Sequence, residues 1–170
     1  HPELSFQVKE TSAYIKKVLS EMGIPWQPVS ENGVVALIRG GKPSDRVLAL
    51  RADMDALPIR EQNQVDYCST REGVMHACGH DAHTASLLGS AYILNALRTE
   101  FGGTIKLIFQ PGEEKLPGGA SMMIKEGVLE NPRPEAIIGQ HCMPSLETGK
   151  IAIRPGKFMA SMDELQVWVH

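Results

Sequence analysis

Residues 76–83 contain three histidines, one cysteine and one aspartate, and this density constrains the fold more than any other feature of the chain. Imidazole and thiolate are the usual ligands of zinc and of neighbouring transition metals. A nearby aspartate can bind an ion, bridge two ions or orient a ligand. A lone histidine here would suggest only an exposed polar turn. Five such groups together favour a metal site.

The spacing of apolar residues predicts alternating helices and strands. A helix is expected over residues 10–22, and Gly23 is placed to end it in a left-handed conformation. A second helix is expected over 80–97, capped by Asp81 or Thr84, and a short one over 120–125. Residues 40–45 are expected to form a turn between the first two strands. The predicted strands are 33–38, 46–50, 104–109, 136–140, 151–153 and 164–169, with 46–50 central and 136–140 buried. This order predicts an α/β fold with a mixed, largely parallel sheet flanked by helices.

Composition narrows the possible partners. The chain has 170 residues, 42% hydrophobic content and a net charge of -3, so it offers no electrostatic footprint for nucleic acid or an anionic membrane. No apolar run approaches the roughly 18 residues of a membrane helix. Small molecules are the expected partners. Three irregularly spaced cysteines favour a reducing compartment, and hence the cytoplasm. The chain starts at His1 rather than Met, so the question of a removed signal segment stays open.

Polar clusters follow or precede the predicted elements at four places. Ligand sites in open α/β sheets gather beyond the carboxyl ends of strands, so these clusters converge if their strands are parallel neighbours. Each has an alternative: the aspartates and glutamates as solvated turn residues, the histidine as a hydrogen-bonded core residue, the cysteine as a small buried hydrophobe. The clusters are Asp53 with Asp55, Cys78 with His80, Glu113 with Glu114, and His141.

These groups together would support metal-assisted hydrolysis. Cysteine, histidine and carboxylate ligands hold divalent ions that polarise a carbonyl and acidify a water molecule. A carboxylate beside the ions removes the proton of the water. Because adjacent side chains in extended or turn geometry point in different directions, a Glu-Glu pair can supply both a ligand and a base.

Four stretches of the sequence resemble the successive motifs of one family, the M20 metallopeptidase-like amidohydrolases. The most similar branch comprises N-acyl-amino-acid amidohydrolases, hippurate hydrolases and auxin-conjugate hydrolases, and residues 2–6 (PELSF) also resemble that branch. The matches keep the order of the family along the chain, and the CGHDAH motif is highly specific. The stretches are 50–58 (LRADMDALP), 75–84 (MHACGHDAHT), 109–114 (FQPGEE) and 139–141 (GQH).

The resemblance implies a role for individual residues. Glu113 is expected to be the general acid and base. Asp53 is not expected to bind metal, because a His-x-Asp pair occupies the place of residues 53–55 in the wider superfamily. The expected metal ligands are Cys78, His80, Glu114 and His141. The residues expected to support these ligands without binding metal are Asp55, Asp81 and His83.

The same resemblance implies cofactors, substrate and assembly. Two divalent ions are expected, drawn from manganese, zinc, cobalt or nickel, with an N-acyl amino acid such as hippurate as substrate. A dipeptidase, a deacylase of acylated diaminopimelate and a non-catalytic homologue are the alternatives. Family members are considerably longer than this chain and carry an inserted lid, so 1–157 is expected to be the N-terminal part of the catalytic domain of a two-domain metallohydrolase, and 158–170 the start of the lid. The full-length protein is expected to be a homodimer and the 170-residue piece alone to be inactive.

Overall fold

The computed structural model describes residues 1–159 and 167–168, along which helices and strands alternate. The helices are α1 (Lys9–Glu21), α2 (His80–Ala96) and α3 (Gly119–Lys125), with a 3-10 turn at Arg98–Glu100. The strands are β1 (Trp26–Val29), β2 (Gly33–Arg39), β3 (Lys42–Asp53), β4 (Gly102–Gln110) and β5 (Ala136–Gly139). None of the helices in these ranges combines the length and the apolar character that crossing a membrane requires.

The five strands form one mixed sheet in the order β1-β2-β4-β3-β5. β2 pairs antiparallel with β1 and β4, whereas β3 pairs parallel with β4 and β5. The predicted α/β class, with a mixed sheet and flanking helices, is confirmed. The parallel register places Asp53 opposite Gln110 and Arg51 opposite Gly139. The carboxyl ends of β4, β3 and β5 therefore lie side by side.

Helices cover both faces of the sheet because alternate strand residues point to opposite sides. On one face, α1 and α2 bury Leu19 and Leu88 in a cluster that includes Phe109. On the other face, α3 packs Met123 in a cluster that includes Ile108. Each such side chain stabilises the fold by about 1.5–3 kcal/mol when fully buried. The two layers thus fix the strand ends that carry the polar clusters.

The end of α1 agrees with the prediction from the sequence, whereas the start of α2 differs from it. Gly23 follows α1 with φ +68° and donates its N–H to Ser20, as predicted for a left-handed stop. The predicted cap of α2 is wrong: Gly79 is its N-cap, with no side-chain cap hydrogen bond. Thr84 instead donates its hydroxyl to the carbonyl of Asp53 at 2.9 Å, and Asp81 is exposed.

Several strand predictions are corrected. The sequence does not predict strand β1, because Pro28 interrupts any pattern of apolar residues there. Three of its four residues are exposed. The turn predicted at 40–45 is shorter than expected, because β3 begins at Lys42. The two strands that it joins are not neighbours in the sheet, since β4 lies between β2 and β3. Strand β5 is present but exposed rather than buried, because it pairs only with β3 among the described residues. Residues 151–153 form no strand. The strand predicted over 164–169 falls largely outside the described residues, as does much of the proposed second domain at 158–170.

Candidate metal centre

The polar clusters converge where β4, β3 and β5 end. Strand β3 leads into Asp53 and Asp55, β4 into the pair Glu113 and Glu114, and β5 into His141. Helix α2 begins beside them. Three groups of potential metal-binding side chains form there, each with its donor atoms within 4.8 Å of one another. The groups are Cys78 with His80 and His141, Asp53 with His80 and His83, and His80 with Glu113 and Glu114.

Gly79 allows Cys78 and His80 to face the same site. Its φ of +79° is a conformation that side-chain-bearing residues rarely adopt. A Cβ atom at this position would also lie 3.3 Å from the Cβ of Cys142. The glycine therefore permits both the turn into α2 and the close approach of the segment that follows β5.

Two of the predicted ligands directly approach each other across the site. The Sγ of Cys78 lies 3.2 Å from Nε2 of His141. Nδ1–H of His141 donates to the carbonyl of Cys142 at 2.7 Å, so Nε2 carries the lone pair that could bind a metal ion. His141 lies on an exposed loop, so this side of the site is open to solvent.

The other two predicted ligands carry buried atoms without a partner. His80 is 1% exposed, and its Nε2 lies 3.8 Å from Oε1 of Glu114. Among the described residues, neither of these atoms has a hydrogen-bond partner. Leaving a buried polar atom unsatisfied costs about 1–3 kcal/mol. A divalent ion would satisfy both atoms, and sulfur, nitrogen and carboxylate donors suit zinc and its neighbours, so the residues present fit the metal implied by the sequence.

Asp55 contacts several candidate ligands, although it belongs to none of the three groups of potential metal-binding side chains. Its carboxylate accepts the backbone N–H groups of Glu113 at 2.9 Å and Glu114 at 3.1 Å, as well as the hydroxyl of Ser5. Its Oδ1 also lies 3.4 Å from Nδ1 of His80. Burial by itself opposes ionisation, but the neighbouring His80 ring and the hydrogen bonds from Ser5 and the two backbone groups outweigh it and hold the pKa of Asp55 well below its usual range.

The charges of the site shift the pKa values of its acids and bases. Burial, followed by the neighbouring carboxylate of Glu114, raises the pKa of Cys78 to about 12. Burial, followed by the charge of Glu114, raises the pKa of Glu113, although its side chain reaches solvent. Burial lowers the pKa of His80, but the carboxylates of Asp55, Asp53 and Glu114 outweigh it, so the net shift is upward. The negative charge of neighbouring carboxylates contributes to all three upward shifts, and it favours a bound cation.

The three residues expected to support the ligands lie in different surroundings. Asp55 lies at the centre of the site, and His83 is fully buried beside it. Asp81 is exposed and lines a cavity of about 500 Å³ between α1 and α2, together with His76. The structure therefore brings Asp55 and His83 together with the predicted ligands, but not Asp81.

The sequence alone assigned no role to three residues that hold the site in place, namely Ser5, Arg51 and Gln110. Ser5 bonds to Asp55, which gives the PELSF segment a function at the site. Arg51 contacts Oδ2 of Asp53 at 2.6 Å and the side chain of Gln110 at 2.7 and 2.9 Å. The available signal was the spacing of Arg51 and Asp53, since residues two apart on a strand share a face.

Comparison with known proteins identifies a matching family and several similar proteins. Residues 49–167 match peptidase family M20/M25/M40. An N-acyl-L-amino acid amidohydrolase of Geobacillus stearothermophilus is 45% identical over 164 residues, which cover 96% of this chain and 44% of that protein. An N-acetylcysteine deacetylase of Bacillus subtilis is 45% identical over 169 residues, which cover 98% of this chain and 43% of that protein.

A solved structure matches the fold as well. The Bacillus subtilis YXEP protein, described as a dinuclear metal binding peptidase from the M20 family, superposes with a TM-score of 0.80 at 47% identity. The match covers 86% of this chain and 40% of that one. The chain thus spans less than half the length of these relatives.

Proposed function

This chain belongs to peptidase family M20/M25/M40, and on that premise we propose that the protein containing it hydrolyses the amide bond of N-acyl amino acids with the help of divalent metal ions. The observation that carries the proposal is the pair of buried, unpartnered atoms among the described residues, Nε2 of His80 and Oε1 of Glu114. They face each other beside a carboxylate of raised pKa, that of Glu113.

The metal-binding part of the proposal assigns four side chains as ligands. Two divalent ions, drawn from manganese, zinc, cobalt or nickel, would be held by these side chains and by donors outside the described residues. When bound, such ions supply Lewis acidity toward an amide carbonyl and a water molecule. The relative described as dinuclear supports the number of ions. The assigned ligands are Cys78, His80, Glu114 and His141.

Glu113 is the proposed general acid and base. Its carboxylate takes a proton from the attacking water as the water oxygen bonds to the carbonyl carbon. The same group returns the proton to the amide nitrogen as the C–N bond breaks, which releases a carboxylic acid and an amine. A carboxyl with a raised pKa suits both steps, because catalysis is most efficient when the pKa lies near the working pH. Asp55 accepts hydrogen bonds from the backbone N–H groups of Glu113 and Glu114 and so orients the backbone that carries both carboxylates.

The substrate proposal is a small N-acyl amino acid of the hippurate kind. The printed names of two relatives, an N-acyl-L-amino acid amidohydrolase and an N-acetylcysteine deacetylase, support this class. A cytoplasmic location and a homodimeric full-length protein are part of the same proposal. Light scattering on the complete gene product would test the dimer.

The test uses the complete gene product that contains this chain. The protein is stripped of metal with a chelator, then reloaded in turn with manganese, zinc, cobalt or nickel. Each sample is offered hippurate, N-acetylcysteine, an acylated diaminopimelate and a dipeptide. Hydrolysis of the first two at about 1 s⁻¹ or faster, only after reloading, is the expected result. Preference for one of the last two would replace the substrate class. Loaded protein that cleaves none of the four would contradict the proposal and favour a non-catalytic homologue.

A further inference from the structure

His83 is fully buried, and both of its ring nitrogens have a partner. Its Nδ1 lies 2.7 Å from Oδ1 of Asp53. Its Nε2 lies 2.9 Å from the backbone N–H of Cys142. The side chain therefore connects the end of β3 with the loop that follows β5.

These two contacts determine the tautomer of His83. A backbone N–H can only donate, so Nε2 must be the unprotonated acceptor. Nδ1 consequently carries the proton and donates it to the carboxylate of Asp53. With both nitrogens engaged in this way, His83 has no lone pair left for a metal ion. Its membership of a group with Asp53 and His80 that could hold an ion is thus a matter of proximity.

Asp53 is itself held from the other side. Its Oδ2 contacts Arg51 at 2.6 Å, and Arg51 is anchored on the Oε1 of Gln110. Gln110 ends β4, Asp53 ends β3, and His83 lies in the first turn of α2. One hydrogen-bonded chain therefore runs from β4 across β3 to the peptide of Cys142.

The Cys142 peptide is the part of this chain that bears on metal binding. The segment after β5 has no regular structure at His141 and Cys142, and both residues are exposed. The backbone N–H of Cys142 donates to Nε2 of His83, and the backbone carbonyl of Cys142 accepts from Nδ1–H of His141. Fixing the backbone of Cys142 therefore fixes the imidazole ring that presents Nε2 toward Cys78 at 3.2 Å.

We propose that His83 is a positioning residue: through its acceptor bond to the Cys142 peptide, it orients His141 for metal binding without binding metal itself. This inference rests on the proposed function, because His141 requires orienting only if it is a ligand. Loss of a group that supports a metal ligand costs about 10- to 100-fold in metal affinity.

Two substitutions separate the two ends of the imidazole. In His83→Gln, the side-chain carbonyl can still accept the Cys142 N–H. In His83→Asn, the shorter amide can still donate to Asp53 but does not reach Cys142. Leu87→Ala is the matched control, because Leu87 is also buried on α2 and its truncation removes packing alone. All variants are made in the complete gene product, and Co²⁺ affinity is measured by competition with a chelator.

The expected result is a loss of about 10- to 100-fold in Co²⁺ affinity for His83→Asn, with His83→Gln closer to the wild type. Leu87→Ala should lower the thermal midpoint and leave Co²⁺ affinity unchanged. Nitrogen NMR of the metal-free wild type should show His83 as the neutral Nδ1–H tautomer.

Three results would overturn the inference, and a fourth would overturn the function as well. Equal Co²⁺ affinity in the wild type and both His83 variants would make the residue merely structural. Equal losses in His83→Gln and His83→Asn would point to a role as ligand. An Nε2–H tautomer would remove the bond to Cys142. A wild type that binds no Co²⁺ would overturn the metal site and this inference together, whereas the first three results leave the metal site intact.

Discussion

The Sγ of Cys78 lies 3.2 Å from Nε2 of His141, although 63 positions separate the two residues in the chain. The turn before α2 and the loop after β5 meet there because β5 runs parallel to β3 and ends at the same edge of the sheet. The pKa of Cys78 is raised to about 12, so the metal-free protein holds a neutral thiol at neutral pH. Metal binding must release that proton, because the thiolate is the ligand.

Cys78→Ala is expected to weaken metal binding in the complete gene product. The loss should exceed the roughly 10- to 100-fold that follows removal of a supporting residue, since a ligand is lost outright. Co²⁺ affinity of the wild type should rise with pH because binding displaces the thiol proton, and this dependence should be shallower in the variant. Cys68→Ala is the control, because Cys68 is exposed and lies outside the groups of potential ligands. Unchanged metal content in Cys78→Ala would remove the residue from the site.

The two adjacent glutamates are expected to separate into a base and a ligand. Glu113→Gln should retain metal and lose roughly 10²-fold or more in kcat, because the amide cannot accept the proton of the water. Glu114→Gln should lose metal, because its Oε1 is the buried atom that faces His80. Glu72→Gln serves as the control, since Glu72 is exposed and, among the described residues, its only ion pair is with Arg60 at 3.8 Å. Metal loss in Glu113→Gln with retention in Glu114→Gln would exchange the two roles.

Asp55 is expected to make the metal-free protein sensitive to acid. Its pKa is lowered in the folded state, so its contribution to the free energy of unfolding is present above the unfolded value of about 3.9 and is lost as pH falls below it. Denaturant titrations of the metal-free protein between about pH 5 and pH 2 measure this slope.

Asp55→Asn removes the same contribution by mutation. It should lower stability at pH 7 by about 2 kcal/mol or more, since hydrogen bonds to a buried charge are weakened together, and it should flatten the acid slope. Asp45→Asn, at an exposed position of β3, is the control and should leave both quantities close to the wild type. An acid slope that is the same in Asp55→Asn and the wild type would show that Asp55 is not its source.

Gly119 is expected to tolerate no side chain, and its N–H donates to the carbonyl of Gly112 at 2.7 Å. A Cβ atom there would lie 1.4 Å from the carbonyl oxygen of Pro111, which is far inside van der Waals contact. Gly119→Ala should therefore displace the turn that carries Glu113 and lower both the thermal midpoint and metal affinity.

Gly89 provides the matched control within α2. A Cβ atom at this position meets nothing within 4 Å. Gly89→Ala should be neutral or should stabilise the protein by about 0.5–1 kcal/mol, since alanine favours the helix. If calorimetry showed the two alanine variants to be equally stable, the close packing of α3 against Pro111 would be wrong.

The sequence alone determined the α/β class, most of the elements and the set of chemical groups at the site. Hydrophobic spacing locates α1, α2 and β4 because it records which face of a local segment is buried. It missed β1 and overestimated the burial of β5, since burial of an edge strand depends on what lies beside it. The apolar run within residues 136–140 carries no information about that neighbour.

Tertiary structure alone decided what each polar group contacts. Asp53 and Asp55 are separated by one residue, and nothing in their spacing assigns them different roles. In the fold, Asp53 contacts Arg51 and His83. Asp55 instead accepts hydrogen bonds from Ser5 and from the backbone N–H groups of the two glutamates. These partners come from distant parts of the chain. A hydrogen bond requires an atom within about 3 Å in the right direction, and only the register of β3 against β4 and β5 sets which atoms meet that condition.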